Sequence, residues 1–311
     1  MAEYKCNLII DSCCDLPFEI VNEEGVDIIE FPYMMSDGEH HDDMFRSISA
    51  HDFYEKMRKG ESPSTAQVPM AVFREKFMMA IMRKVPTVYL SFTSGLSGSY
   101  DTAVMMRDQL IAEYPDAELY VVDTKLASVA EGLFVYEALR QRRHGLTAQE
   151  LVAWAEEARY YINELFMVDD LEALRRGGRI PASVAFAGSM LNVKPLLDID
   201  TDGKLSLVGV ARGRKKGISQ LAQFYNQRKL NSSDKVDNRV MLGNSDCVKD
   251  LERLKSEIER ENEAAMFMEC SIGPVIGSHV GPGMIAVVFW GADSREKLTV
   301  SDRIAKKARN H

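Results

Sequence analysis

Four short, β-branched apolar runs dominate the first half of the chain: "NLIID" (7–11), "VDIIEF" (26–31), "TVYLSF" (87–92) and "ELYVVD" (118–123). Between them lie helical patterns such as "AVFREKFMMAIMRKV" (71–85) and "SYDTAVMMRDQLIAEY" (99–114). Strands that read as continuous apolar runs and alternate with helices predict a parallel sheet covered on both faces. A further helix is expected over 148–165, "AQELVAWAEEARYYINEL", leading the chain out of this first unit. Past it the texture changes. "KPLLDIDTDGKLSLVGV" reads as a hairpin around "TDGK", followed by mixed helices and strands. The expected fold is therefore α/β with two domains. An N-terminal parallel-sheet domain covers 1–165, an α+β domain 166–291, and a tail 292–311. The methionines Met78, Met79, Met82, Met105 and Met106 are read as core at helical spacing.

Composition narrows the function classes. The chain of 311 residues carries 47 acidic against 38 basic side chains, a net charge of −9, which argues against general nucleic-acid binding. Its five cysteines include one adjacent pair and no CxxC, so neither a disulfide framework nor a zinc site is expected. "EHHDD" (39–43) lacks metal-ligand spacing and is read as solvated. With no signal-peptide order at the start and no membrane-length apolar run, a cytoplasmic protein with reduced thiols is expected.

Ligands of open parallel sheets bind beyond the carboxyl ends of the strands. Four hydroxyl-rich loops are candidates for that place: "DSCCDLP" (11–17), "ESPSTAQVP" (61–69), "TSGLSGSY" (93–100) and "DTKLASVAEG" (123–132). Small residues, hydroxyl donors and helix starts suit a small acidic group. No GxxxxGK[ST] occurs, and the first loop lacks the glycines of a dinucleotide fingerprint, so nucleotide cofactors are excluded. "GLSGS" (95–99) approaches a nucleophile elbow, with Ser97…Asp123…His279 in triad order, although Ser99 stands where the elbow wants glycine. The alternative to a binding loop is thus a serine esterase using Ser97. Two basic stretches, "LEALRRGGRI" (171–180) and "ARGRKKG" (211–217), suit phosphate or an acidic partner.

In chain order, "IIDSCCDLP", "SPSTAQ", "SGLSGSYDTA", "VVDTKLAS", "LEALRRGGRI", "VKPLL" and "GPVIGSHVGPG" resemble the DegV family of bacterial fatty-acid-binding proteins, from residue 7 to 291. The resemblance implies a long-chain fatty acid held between two domains, with no other cofactor. Its carboxylate would meet Thr65 and Ser97, aided by the N–H of Gly98 and by His279. Arg179, Arg212 and Arg214 would face a partner or a developing phosphate. That partner would be an ATP-dependent fatty acid kinase making an acyl phosphate for phospholipid synthesis, the chain being a carrier and not the catalyst. Delivery by transient contact of Arg214, Lys215 and Lys216 with membrane phosphates is a further expectation.

Overall fold

The computed structural model describes residues 4–180, 192–230 and 238–297. In chain order the first strands are β1 (Asn7–Asp11), β2 (Asp27–Ile29), β3 (Pro32–Met35), β4 (Gly38–His41), β5 (Ser64–Thr65), β6 (Thr87–Ser91) and β7 (Leu119–Asp123). There follow β8 (Ile162–Met167), β9 (Val193–Ile199), β10 (Leu205–Arg212), β11 (Arg239–Asn244), β12 (Met266–Ser271) and β13 (Ile285–Trp290). The helices that matter below are α1 (Phe18–Glu24), α2 (Ala50–Arg58), α3 (Met70–Met82), α4 (Ser99–Glu113), α5 (Ser128–Arg143), α6 (Ala148–Ala158) and α7 (Glu172–Arg176). Three more are α8 (Arg214–Arg228), α9 (Val248–Glu259) and α10 (Pro274–Val280).

The four apolar runs form one parallel sheet in the order β2-β1-β6-β7, as the alternation predicts. Every residue of β6 is buried, and Tyr89 packs against Phe73 and Phe77 of α3. The second sheet runs β10-β9-β8-β13-β11-β12, antiparallel except for β11 with β12. Its β9–β10 hairpin turns at "TDGK", with Gly203 at φ +80°. A small antiparallel sheet, β4-β3-β5, carries "SPST" beside the first.

Helix α5 lies between the two large sheets. It touches β8, β11 and β13 on one side and the turn Ser12–Cys14 on the other. Twelve of its residues are buried, which explains why its sequence lacks a polar face. One ridge of it, Val129, packs onto Gly243 of β11.

Two expectations need correction. The helix expected over 148–165 stops at Ala158, and Ile162–Met167 becomes a strand. Pairing with β13 and β9 in the interior of the sheet overrides the helical pattern there. The second sheet thus begins at Ile162, and residue 165 falls inside β8. Of the methionines, Met106 is core, but Met79, Met82 and Met105 are 45%, 57% and 55% exposed on the outer helices. All five cysteines are free, four of them buried. Among the described residues no helix is long and apolar enough to cross a membrane.

Candidate ligand site between the sheets

Three of the hydroxyl-rich loops come together above the carboxyl ends of the parallel strands. There they face the second sheet across a narrow apolar cavity of about 70 Å³. One wall comes from Cys13 after β1, Phe92 and Leu96 after β6, and Ala127 after β7. The other comes from Phe166 of β8 and from Val275, Ile276 and Val280 of α10. This is the position that strand-end geometry favours for a ligand.

Asp11 ties the loops into one piece. Its buried carboxylate accepts from Cys13 N at 3.1 Å, from Phe92 N at 2.7 Å and from the Tyr89 hydroxyl at 3.3 Å. Gly95 then lets the "TSGLSG" loop meet the β9–β10 turn backbone to backbone. A Cβ there would lie 2.2 Å from the Gly203 carbonyl, whose oxygen also accepts from Thr93 Oγ1 at 2.9 Å. The loop is therefore clamped between domains before any ligand arrives.

At the polar end of the cavity Thr65 Oγ1 lies 2.7 Å from His279 Nε2, joining residues 214 positions apart. Both line the cavity. Burial, with Arg179 and Arg176 adding repulsion, pushes His279 down to about 4, so the ring is neutral at physiological pH. Its Nδ1 is buried without a partner against Gly177, where a Cβ would come within 2.1 Å. A buried N–H without a partner is costlier than a lone acceptor. The proton therefore sits on Nε2 and points at Thr65 Oγ1, which leaves the Thr65 hydroxyl hydrogen free for the cavity.

Ser97 is on the cavity wall, and its oxygen also accepts from Ser99 N at 3.2 Å at the start of α4. It donates to Ser99 Oγ at 3.0 Å, a bond it can exchange for a ligand oxygen by rotation. Gly98 lies beside the cavity rather than on its wall, its carbonyl held by Gln67 Nε2 at 3.0 Å. Arg179 lines the cavity while its guanidinium donates to the carbonyls of Leu96 and Gly177 at 3.1 and 2.6 Å. It thus sets a cation at the polar end of the cavity, with no carboxylate on it among the described residues.

The other two arginines differ. Arg212 is exposed at the end of β10, away from the cavity. The expectation that Arg214 faces a partner or phosphate is corrected: it pairs with Asp169 at 2.7 Å and Asp250 at 2.6 Å and donates to the Gly283 carbonyl. That cluster binds α8 to α9 and to the loop after β8. The triad order of Ser97, Asp123 and His279 is not assembled either. Asp123 serves Lys125 and Ser94 N, His279 Nε2 serves Thr65, and no bond among the described residues links Ser97 to either. "EHHDD" forms β4 and the turn after it, with His40 on Asp37 and the Tyr33 ring. A group with metal spacing, His51, Glu55 and Asp246, is filled by the Arg58 guanidinium.

Sequence reasoning missed Gln67, which bonds to both Gly98 and Thr102, and the apolar Leu96 and Ile276. The signal was present in "SPSTAQ", whose last residue faces the helix that the serine loop begins.

The fold and its cavity define a two-domain α/β protein with an apolar slot, closed at one end by neutral hydroxyl and imidazole groups. The chain belongs to the DegV family, described as uncharacterised proteins, whose profile matches residues 5–291. It is 35% identical over 292 residues to a DegV domain-containing protein of Clostridium perfringens, covering 94% of this chain and 99% of that one. A DegV lipid-binding protein of Thermotoga maritima superposes with a TM-score of 0.77 at 25% identity, covering 93% of this chain and 99% of its own. A Thermus thermophilus DegV family protein described as fatty acid binding gives 0.76 at 26% identity, covering 93% and 100%.

Proposed function

We propose that this chain binds one long-chain fatty acid in the slot between its sheets and acts as a carrier rather than a catalyst. The observation that carries the reading is the pairing of an apolar slot with Thr65, Ser97 and His279 at one end. A buried carboxylate is costly unless its oxygens are hydrogen-bonded; Thr65 and Ser97 supply hydroxyl donors without a tight ion pair, and His279 orients the Thr65 hydroxyl. The tail provides the affinity. Sixteen methylenes at about 0.8 kcal/mol each offer on the order of 13 kcal/mol before ordering costs. The fatty acid binding described for the Thermus relative supports the same assignment.

A carboxylate held by neutral donors stays nucleophilic towards a phosphoryl group, which suits presentation to an ATP-dependent fatty acid kinase. The acyl phosphate then enters phospholipid synthesis in the cytoplasm. The exposure of the basic Arg212, Lys215 and Lys216 supports contact with that kinase or with an anionic membrane surface.

Denaturing extraction of the purified protein followed by mass spectrometry tests the ligand class, with near-stoichiometric fatty acid expected. An empty extract together with no binding of added oleate or palmitate overturns the reading. For the partner, oleate-loaded protein, ATP and a fatty acid kinase should yield a hydroxamate on adding hydroxylamine. No product beyond the kinase-free control removes the kinase step.

A further inference from the structure

Four buried carboxyl groups stand behind the cavity wall: Asp11 and Asp15 around the turn after β1, Asp42 after β4, and Glu131 in the first turn of α5. Asp15 has the most consequential contacts. Its Oδ2 lies 2.5 Å from Ser128 Oγ, at the first residue of α5. Its Oδ1 accepts from Gly273 N at 2.9 Å, at the cap of α10. Ala127 and Ser128 form one wall of the cavity, and Val275, Ile276, His279 and Val280 form the other. One carboxyl therefore spans both walls from behind. Asp15 and Ser128 hold these bonds in left-handed backbone, at φ +52° and +55°, which only specific contacts sustain in residues other than glycine.

We propose that Asp15 is a positioning residue for the ligand, a side chain that ties α10 to the start of α5 and so sets His279 against Thr65. The proposal rests on the fatty acid reading above.

The surroundings make the tie sensitive to charge. A Cβ on Gly273 would lie 2.6 Å from Asp15 Oδ1 and 3.1 Å from Asp42 Oδ2, so two carboxyls converge on one point. Asp42 Oδ2 is buried there without a partner. Asp11 on β1 adds negative charge, and Tyr54 of α2, Cys270 of β12 and Glu131 of α5 bring groups whose neutral form burial favours. The guanidinium at the rim, Arg46, is committed to Glu30 at 2.6 Å and to the Phe18 ring. Burial first, and Asp42 second, drive Asp15 well above the carboxylate range. Asp15 accepts from the Ser128 hydroxyl on one oxygen and from Gly273 N–H on the other. Asparagine retains both contacts, the Ser128 bond reversed, and alanine neither.

The test measures oleate affinity of the delipidated protein from pH 7 to 9.5, where the ligand stays ionised, for wild type, Asp15→Ala and Asp15→Asn. Hydrogen exchange of residues 274–280 is followed without ligand. Asp15→Ala is expected to weaken oleate at least tenfold and to speed exchange in α10. Asp15→Asn should recover most of that loss. Wild-type affinity and exchange in Asp15→Ala overturn the proposal. So does an Asp15→Asn protein that folds but binds oleate tenfold more weakly than wild type, which remains decisive if the alanine variant does not fold. Failure of the wild type to bind oleate at any pH refutes the ligand reading instead, and the exchange of α10 then decides the tie alone.

Discussion

Replacing Thr65 by valine keeps the volume of the side chain and removes one hydroxyl, which makes it a clean probe of the headgroup end. In the neutral His279 ring the proton on Nε2 points at Thr65 Oγ1, 2.7 Å away, so the threonine hydrogen is available to a carboxylate. A hydrogen bond to a charged group contributes about 1.5–3 kcal/mol. Its loss should raise the Kd for oleate roughly ten- to hundredfold. Leaving His279 Nε2 without a partner should also cost about 1–3 kcal/mol of folding stability. Calorimetry with oleate and with methyl oleate separates the two effects, because the ester has no anionic headgroup. The penalty is expected to shrink below about threefold for the ester. A folded Thr65→Val protein that binds oleate within threefold of wild type would refute the assignment of Thr65 and the tautomer reasoning with it.

Three more outcomes follow from the same structure. Ala127→Phe puts a ring into the slot and should abolish oleate binding, while overpacking costs about 1–3 kcal/mol of stability in urea unfolding; retained binding would place the tail elsewhere. Arg214→Met strands Asp250 and leaves Asp169 with Lys194 alone, and should lower stability by about 1–3 kcal/mol with oleate affinity unchanged, whereas lost affinity at full stability would return Arg214 to the site. Burial pushes Asp11 and Asp42 up to about 7, so the folded chain holds their protons more tightly than the unfolded one and stability falls as pH rises from about 4 to about 7, on the order of 4 kcal/mol for each. His279, lowered to about 4, works the other way, losing its contribution as pH falls from 6.5 towards 4. The two carboxyls outweigh one imidazole, so the thermal midpoint should be lower at pH 8 than at pH 5.5; a rise would contradict this.

The first sheet could be read directly because each of its strands reads as a short apolar, β-branched run, and β6 at its centre is buried throughout, the signature of a parallel sheet with both faces covered. The serine and threonine loops were legible for a related reason, since their place after those strands already locates a ligand. Residues 162–167 misled because "YYINEL" continues an amphipathic pattern, and only pairing with β13, over 120 positions later, makes it a strand. Arg214 misled similarly. Its neighbours in sequence are basic, while the acids that neutralise it stand 45 and 36 positions away. The four buried acids escaped notice because "DSCCD" and "VAEG" read as hydroxyl-rich ligand loops and "HDD" as solvated, and only the fold brings their carboxyls together.

The helix between the sheets restricts how the slot can fill. Because α5 is walled in by both domains, the chain is not a clamshell: prising the sheets apart would wet Val129 and its buried neighbours, and each such side chain is worth about 1.5–3 kcal/mol. Loading should instead resemble threading. If a fatty acid is held as proposed, its methyl end would have to go in first and the aliphatic side chains part just enough for a chain one carbon wide, leaving the carboxylate beside Thr65 and Ser97.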